Sequence, residues 1–166
     1  MRKEKMNNKG FSLVELIIVI AIMAILVVIL APQYLKYVER SRNSTDYQNA
    51  TSIVNALQIY AADPDVNGVN FTAGQVITIT VAQNGAPNVA PQDAVVNAAM
   101  TNAGLDFGQI QCVSRTAWTQ YNIRITPGND GELRFAYWSN NPDGGDDDFA
   151  IHMGTPDGQA TVHDNP

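Results

Sequence analysis

Glu15 is the residue whose type and place most need a chemical explanation. It follows Gly10-Phe11-Ser12-Leu13-Val14, and no charge occurs over residues 16–31. A carboxylate among apolar side chains costs about 2.5–3.5 kcal/mol on insertion scales, so a lone acid there is a functional group awaiting a cation. A second set of acids, Asp143, Asp146, Asp147 and Asp148, sits in Asn141-Pro-Asp143-Gly-Gly-Asp146-Asp147-Asp148. Clustered carboxylates on a glycine-rich loop are either solvated or hold a hard cation such as Ca2+. Asp63-Pro-Asp65-Val-Asn67-Gly68 opens like a calcium loop, but its twelfth position is Gly74, not a bidentate Glu, so it reads as a turn. His152 and His163 have no Cys/His cluster around them, which argues against zinc. Cys112 is the only cysteine, so no intrachain disulfide forms, and it reads as a small buried hydrophobe on a strand. No nucleophile motif, paired catalytic carboxylates or phosphate loop is present, and the chain does not read as an enzyme.

The elements that position these groups follow from periodicity. Residues 11–31 are almost unbroken Leu, Ile, Val, Ala and Met. At 1.5 Å per residue they span about 31 Å as a helix, enough to cross a bilayer. Beyond them, Tyr47, Ala50, Val54, Leu57 and Ala61 recur at helical spacing, whereas residues 41–49 are polar nearly all round. One helix is therefore expected over residues 11–62, ended by Asp63-Pro64, with Pro32 kinking or loosening it. Strands are expected over residues 75–82, 110–115, 120–126 and 132–139, with short ones over 149–153 and 160–163. Residues 92–103 read as a short helix stopped by Gly104, 84–91 as a loop, and Pro127-Gly128-Asn129-Asp130-Gly131 as a hairpin turn. Trp118, Tyr121, Tyr137 and Trp138 read as core or sheet-face aromatics. The fold class is α+β: a long N-terminal helix carrying a C-terminal antiparallel β-sheet head.

Charge divides the chain in the same places. Of the ten Lys and Arg, Arg2, Lys3, Lys5 and Lys9 precede the apolar run, against Glu4 alone. The basic side faces the cytoplasm, so the head lies outside. From residue 61 onward only Arg115, Arg124 and Arg134 oppose twelve acids. Phosphate contacts need clustered Lys and Arg, so no nucleic-acid partner is inferred for the head. A thin core of about a hundred residues must lean on the helix stripe.

Gly10-Phe11-Ser12-Leu13-x-Glu15, behind a basic leader and before an apolar run ending near Pro32, resembles the N-terminus of type IV pilins and their prepilin-like relatives. The resemblance is close over residues 1–60 and holds only in outline for the head. It implies four parts: a cleaved leader at 1–10, a transmembrane and filament-core half-helix at 11–32, an amphipathic half at 33–62 and a globular head at 63–166. It implies that prepilin peptidase cuts between Gly10 and Phe11 and methylates the new amino group of Phe11. That positive group would pair with Glu15, within the chain or from a neighbour, and Pro32 would permit the bending that filament packing requires. It further implies the partners: other copies in a helical homopolymer, the peptidase, an assembly platform and ATPase, and the membrane that holds the precursor before the filament leaves the cell.

Three other readings stay open at this stage. One is a pseudopilin of a type II secretion or competence system. A second, of different class, is a plain membrane-anchored extracytoplasmic binding domain. An ordinary signal peptide cut after Ala31 is opposed by Pro32 and by a helical pattern that runs past it. The cysteine pair that brackets the C-terminal loop of many pilins is absent from this chain.

Overall fold

A computed structural model describes residues 10–63, 70–91, 94–140 and 148–154. The chain divides into two units, Met1–Val38 and Glu39–Pro166. Helix α1, Leu13–Ala62, contributes to both and continues through Pro32. In the first unit its apolar side chains are bare on every face. From Leu13 to Leu30 the large ones are each between 46% and 73% exposed. In the second unit α1 buries one stripe: Asp46, Ala50, Ile53, Val54, Ala56, Leu57 and Tyr60. The expected stripe is present, widened by Ile53, Ala56 and Tyr60, and within the polar stretch 41–49 it extends to Asp46. Its carboxylate is fully buried.

Among the described residues the head is a four-stranded antiparallel sheet with two short α-helices and one 3-10 turn at Phe107–Gln109. Strands β1 (Ile77–Ala82), β2 (Asn88–Ala90), β3 (Gln120–Pro127) and β4 (Leu133–Ser139) take the order β2-β1-β3-β4. Period-two alternation places Ile77, Ile79 and Val81 of β1 beside Ile125, Ile123 and Tyr121 of β3, all fully buried. These pack in one core with the α1 stripe. The β3–β4 turn closes through Gly128 N–H donating to Glu132 O at 2.8 Å, and Gly131 takes φ 82°, where a side chain would be strained.

Helix α2, Ala94–Asn102, buries Val95, Val96, Ala99 and Met100, the face its sequence predicts. Gly104, at φ 68°, ends it as Leu105 N–H reaches back to Met100 O. Helix α3 covers Asp148–His152.

Three expectations are corrected. Residues 84–91 contain β2, a three-residue edge strand bounded by Pro87 and Pro91, which an edge tolerates. The strand expected over residues 149–153 is replaced by α3, ending at His152, and a turn at Met153: Phe149 and Ala150 are buried together while Ile151 and His152 are exposed, which alternation cannot produce. Residues 110–115 form no strand: Cys112 N–H reaches Ala82 O of β1 at 3.0 Å, but the next three N–H groups, of Val113, Ser114 and Arg115, go to carboxylates on α1 and end the pairing. The strand expected at 160–163 lies outside the described residues.

Candidate functional site

At the amino end of α1, Ser12 is the residue before the first helical turn and Glu15 is the third within it. Leu16 N–H makes an early helical bond to Ser12 O at 3.2 Å. Glu15 Oε2 turns back and accepts the N–H of Ser12 at 2.9 Å. This is the reciprocal half of a capping box, and it satisfies a donor that the helix itself leaves free. Acid at this end also opposes the positive pole of the helix. Glu15 is thus aimed at the chain's amino side, towards Phe11, which is 94% exposed. Gly10 lies outside the helix, and a methyl group built on it meets nothing within 4 Å. Packing in this chain therefore does not demand glycine there.

Among the described residues nothing covers the apolar run that follows. It is long and apolar enough to cross a membrane, and none of it is buried. Exposed apolar surface on this scale requires lipid or other protein against it. Pro32, on the same helix, is exposed.

A second arrangement, in the head, was invisible as a motif. Glu39, Asp46, Ile53 and Tyr60 are each seven residues apart on α1, so the face that ends in two core side chains begins with two acids. Asp46 accepts from Val113 N (2.7 Å), Ser114 N (3.0 Å), Trp118 Nε1 (2.9 Å) and Cys112 Sγ (3.4 Å). All four partners are donors, so both oxygens act as acceptors and the buried group is satisfied. Glu39 Oε1 accepts from Arg115 N and Thr116 N, both at 2.7 Å, from Ala117 N at 3.4 Å and from Ser114 Oγ at 2.8 Å. Successive N–H groups converging on one oxygen form an anion-binding concavity. Arg42 adds an ion pair to Oε2 at 3.3 Å. Burial pushes the Glu39 carboxyl up, but the hydrogen bonds from Thr116, Arg115, Ser114 and Ala117 outweigh it and hold the pKa at about 2. The readable signal was an acid standing at stripe positions one and two repeats ahead of Ile53.

Cys112 is buried as expected, though beside the carboxylate and not on a strand. Burial, then the charge of Asp46, push its thiol far above the ordinary range. It is not poised as a nucleophile. Around it Trp118, Tyr121 and Phe149 make an aromatic core, with Phe149 stacked on Tyr121 at 4.6 Å and edge-on to Trp118 at 5.4 Å. His152 stacks on Tyr47 at 3.8 Å. Trp138 lies on the other sheet face under Arg124, at 5.1 Å. Of the acidic-loop candidates, Asp143, Asp146 and Asp147 lie outside the described residues, and Asp148 is an exposed acid in the first turn of α3. Among the described residues no group of three or more His, Cys, Asp or Glu is arranged to hold a metal ion.

Comparison with known proteins agrees with the amino-end geometry. Residues 5–31 match the prokaryotic N-terminal methylation motif. The chain is 35% identical over 107 residues to the fimbrial protein EcpC of Eikenella corrodens, covering 63% of this chain and 70% of that one. It is 36% identical over 67 residues to the type IV major pilin protein PilA of Myxococcus xanthus, covering 39% of this chain and 30% of that protein. No solved structure matches it.

Proposed function

Since this chain belongs to the type IV pilin family, we propose that it is the repeating structural subunit, the major pilin, of an extracellular helical filament. The observation that carries the reading is the first unit. A helix bare of partners on every face has one carboxylate, and that carboxylate points back towards the amino end. In the precursor the apolar run faces lipid, held at the cytoplasmic membrane. In the filament it faces copies of itself, and contacts that do not close into a ring give an open fibre.

Prepilin peptidase cuts between Gly10 and Phe11 in this reading and methylates Phe11. The cut makes a cation one residue before the N–H that Glu15 already holds, so the acid needs no large movement to meet it. Pairing the two charges offsets the desolvation cost that burial in the filament imposes on each, and it sets the axial register. Pro32, which lacks an N–H to give to the helix, marks the place where α1 bends or locally unwinds as subunits pack. An assembly platform and its ATPase extract the processed chain from the membrane.

The test is the mature N-terminus and the location of the chain. Filaments sheared from the cell surface should consist mainly of this chain, beginning with N-methylated Phe11 by intact mass. A chain starting at Met1, or near Pro32, refutes the reading in favour of a plain anchor or an ordinary signal peptide. Correct processing with only short fibres confined to the cell envelope replaces it with a pseudopilin.

A further inference from the structure

One end of the head carries exposed arginines together with the acids Glu39 and Asp148, and the turn at the far end carries an exposed glutamate. Arg42 on α1 and Arg115 in the segment after α2 line one cavity of about 310 Å³ together with Gln83, Asn84 and Gln111. Gln83 Nε2 is committed to Ser114 O at 2.6 Å, and Arg42 is shared with Glu39. The Arg115 side chain is exposed and has no ion pair among the described residues. Arg40 is exposed on the same end of α1.

The β3–β4 turn stands at the far end. Gly128 and Gly131 line a cavity with Tyr60 and Ala61, at the close of α1. From Arg42 to Ala61 the helix rises about 29 Å. Strand β3 covers most of that length, rising about 24 Å from Gln120 to Pro127. The turn carries Asp130 and Glu132, and Asp63 follows α1 directly. Asp130 is tied to Arg134 at 2.6 Å, while Glu132 is exposed with no ion pair among the described residues.

We propose that the Arg42–Arg115 pocket is a carboxylate socket for a second copy of this chain, entered by Glu132 from the β3–β4 turn of the neighbouring head. The inference rests on the filament reading. A non-closing contact must join two different patches of one molecule, and here Arg115 and Glu132, neither in an ion pair among the described residues, lie at opposite ends of the head. The occupant is also set by the charge balance. Residues 61–166 carry twelve acids against three arginines, so packed heads repel unless acids of one copy meet the few cations of another. Guanidinium groups suit the site because they bind carboxylate through two parallel N–H bonds.

The experiment uses the full chain in cells that assemble it. Arg115→Glu, at an exposed position, should lower filament yield roughly tenfold by setting like charges together. Glu132→Arg alone should do the same, and the two together in one chain should restore the yield. Unchanged yield in Arg115→Glu, or no restoration in the double variant, overturns the socket. Where a reversed chain does not accumulate, a cross-link decides: with Cys112→Ser, the pair Arg115→Cys and Glu132→Cys should give a ladder of covalent multimers on oxidation. Filaments that assemble without a ladder overturn the socket and leave the filament reading standing. A native chain that makes no filaments refutes both.

Discussion

Asp46 and Trp118, 72 residues apart in sequence, meet at 2.9 Å through the indole N–H. The same carboxylate oxygen accepts Ser114 N–H at 3.0 Å, so one side chain on α1 closes the segment that leads into β3. Seven residues earlier, Glu39 closes the next turn of that segment. Together they fasten the segment before β3 to the helix, beside the packing of Tyr47 on Trp118 and Phe149.

Asp46→Ala leaves three N–H groups of this segment buried without acceptors. The expected cost is about 3–5 kcal/mol of head stability, as for breaking a buried charged network. Urea denaturation of the detergent-solubilised chain, followed by tryptophan emission, checks this. A red shift at low urea shows the Trp118 site opening, and a loss below about 1 kcal/mol refutes the role given to Asp46.

Glu39 makes stability depend on pH. Its folded pKa of about 2 lies below the ordinary value of 4.5, so the folded head favours the ionised group. The stabilisation is fully present above the unfolded pKa and is lost as pH falls from about 5 towards 2. It amounts to about 3 kcal/mol at neutral pH. Other carboxylates titrate in this window, so the quantity to measure is the difference between the native chain and Glu39→Gln. That difference should shrink steadily between pH 5 and pH 2. A difference independent of pH shows that the carboxylate charge is not what the backbone N–H groups recognise.

Cys112 should resist alkylation. The thiol is buried and its proton is directed at Asp46, at 3.4 Å. Reaction with iodoacetamide at neutral pH should run roughly a hundredfold slower in the native chain than in denaturant. Equal rates mean that the segment around Cys112 opens freely and that the two carboxylates do not hold it.

Gly10 and Glu15 separate processing from assembly. Open space surrounds the position of a Gly10 side chain, so Gly10→Leu leaves the chain's own fold unchanged. Full-length precursor should nonetheless accumulate in the membrane, because the requirement lies in the peptidase. Glu15→Ala loses the cap on Ser12 N–H, worth about 1 kcal/mol, and should still be cleaved. Its filament yield should fall at least about tenfold, given the several kcal/mol at stake in pairing a buried charge. Immunoblots of cell and sheared fractions read both steps. Normal processing of Gly10→Leu, or normal filaments from Glu15→Ala, removes the corresponding role.

What the sequence alone determined is local in origin. The apolar run, the stripe through Ala50, Val54 and Leu57, and the alternation in β1, β3 and β4 each repeat within a few residues. So do the Gly104 stop and the turn at Gly128–Gly131. Gly10, Phe11 and Glu15 stand out as a local motif, while the bond from Ser12 N–H to Glu15 is seen only in the structure. The tertiary structure alone decided the fate of residues 110–117. Their strand-like pattern is genuine, but an N–H group takes the best acceptor within reach, and two carboxylates brought from α1 are better acceptors than an unpaired sheet edge. Nothing near Glu39 or Asp46 in sequence announces those partners, because they lie more than sixty residues away. Helix α3 was decided likewise, by the space that Tyr47, Trp118 and Tyr121 leave for Phe149. Arg115 and Glu132 stand at opposite ends of the head only once β3 has carried its turn to the far end of α1.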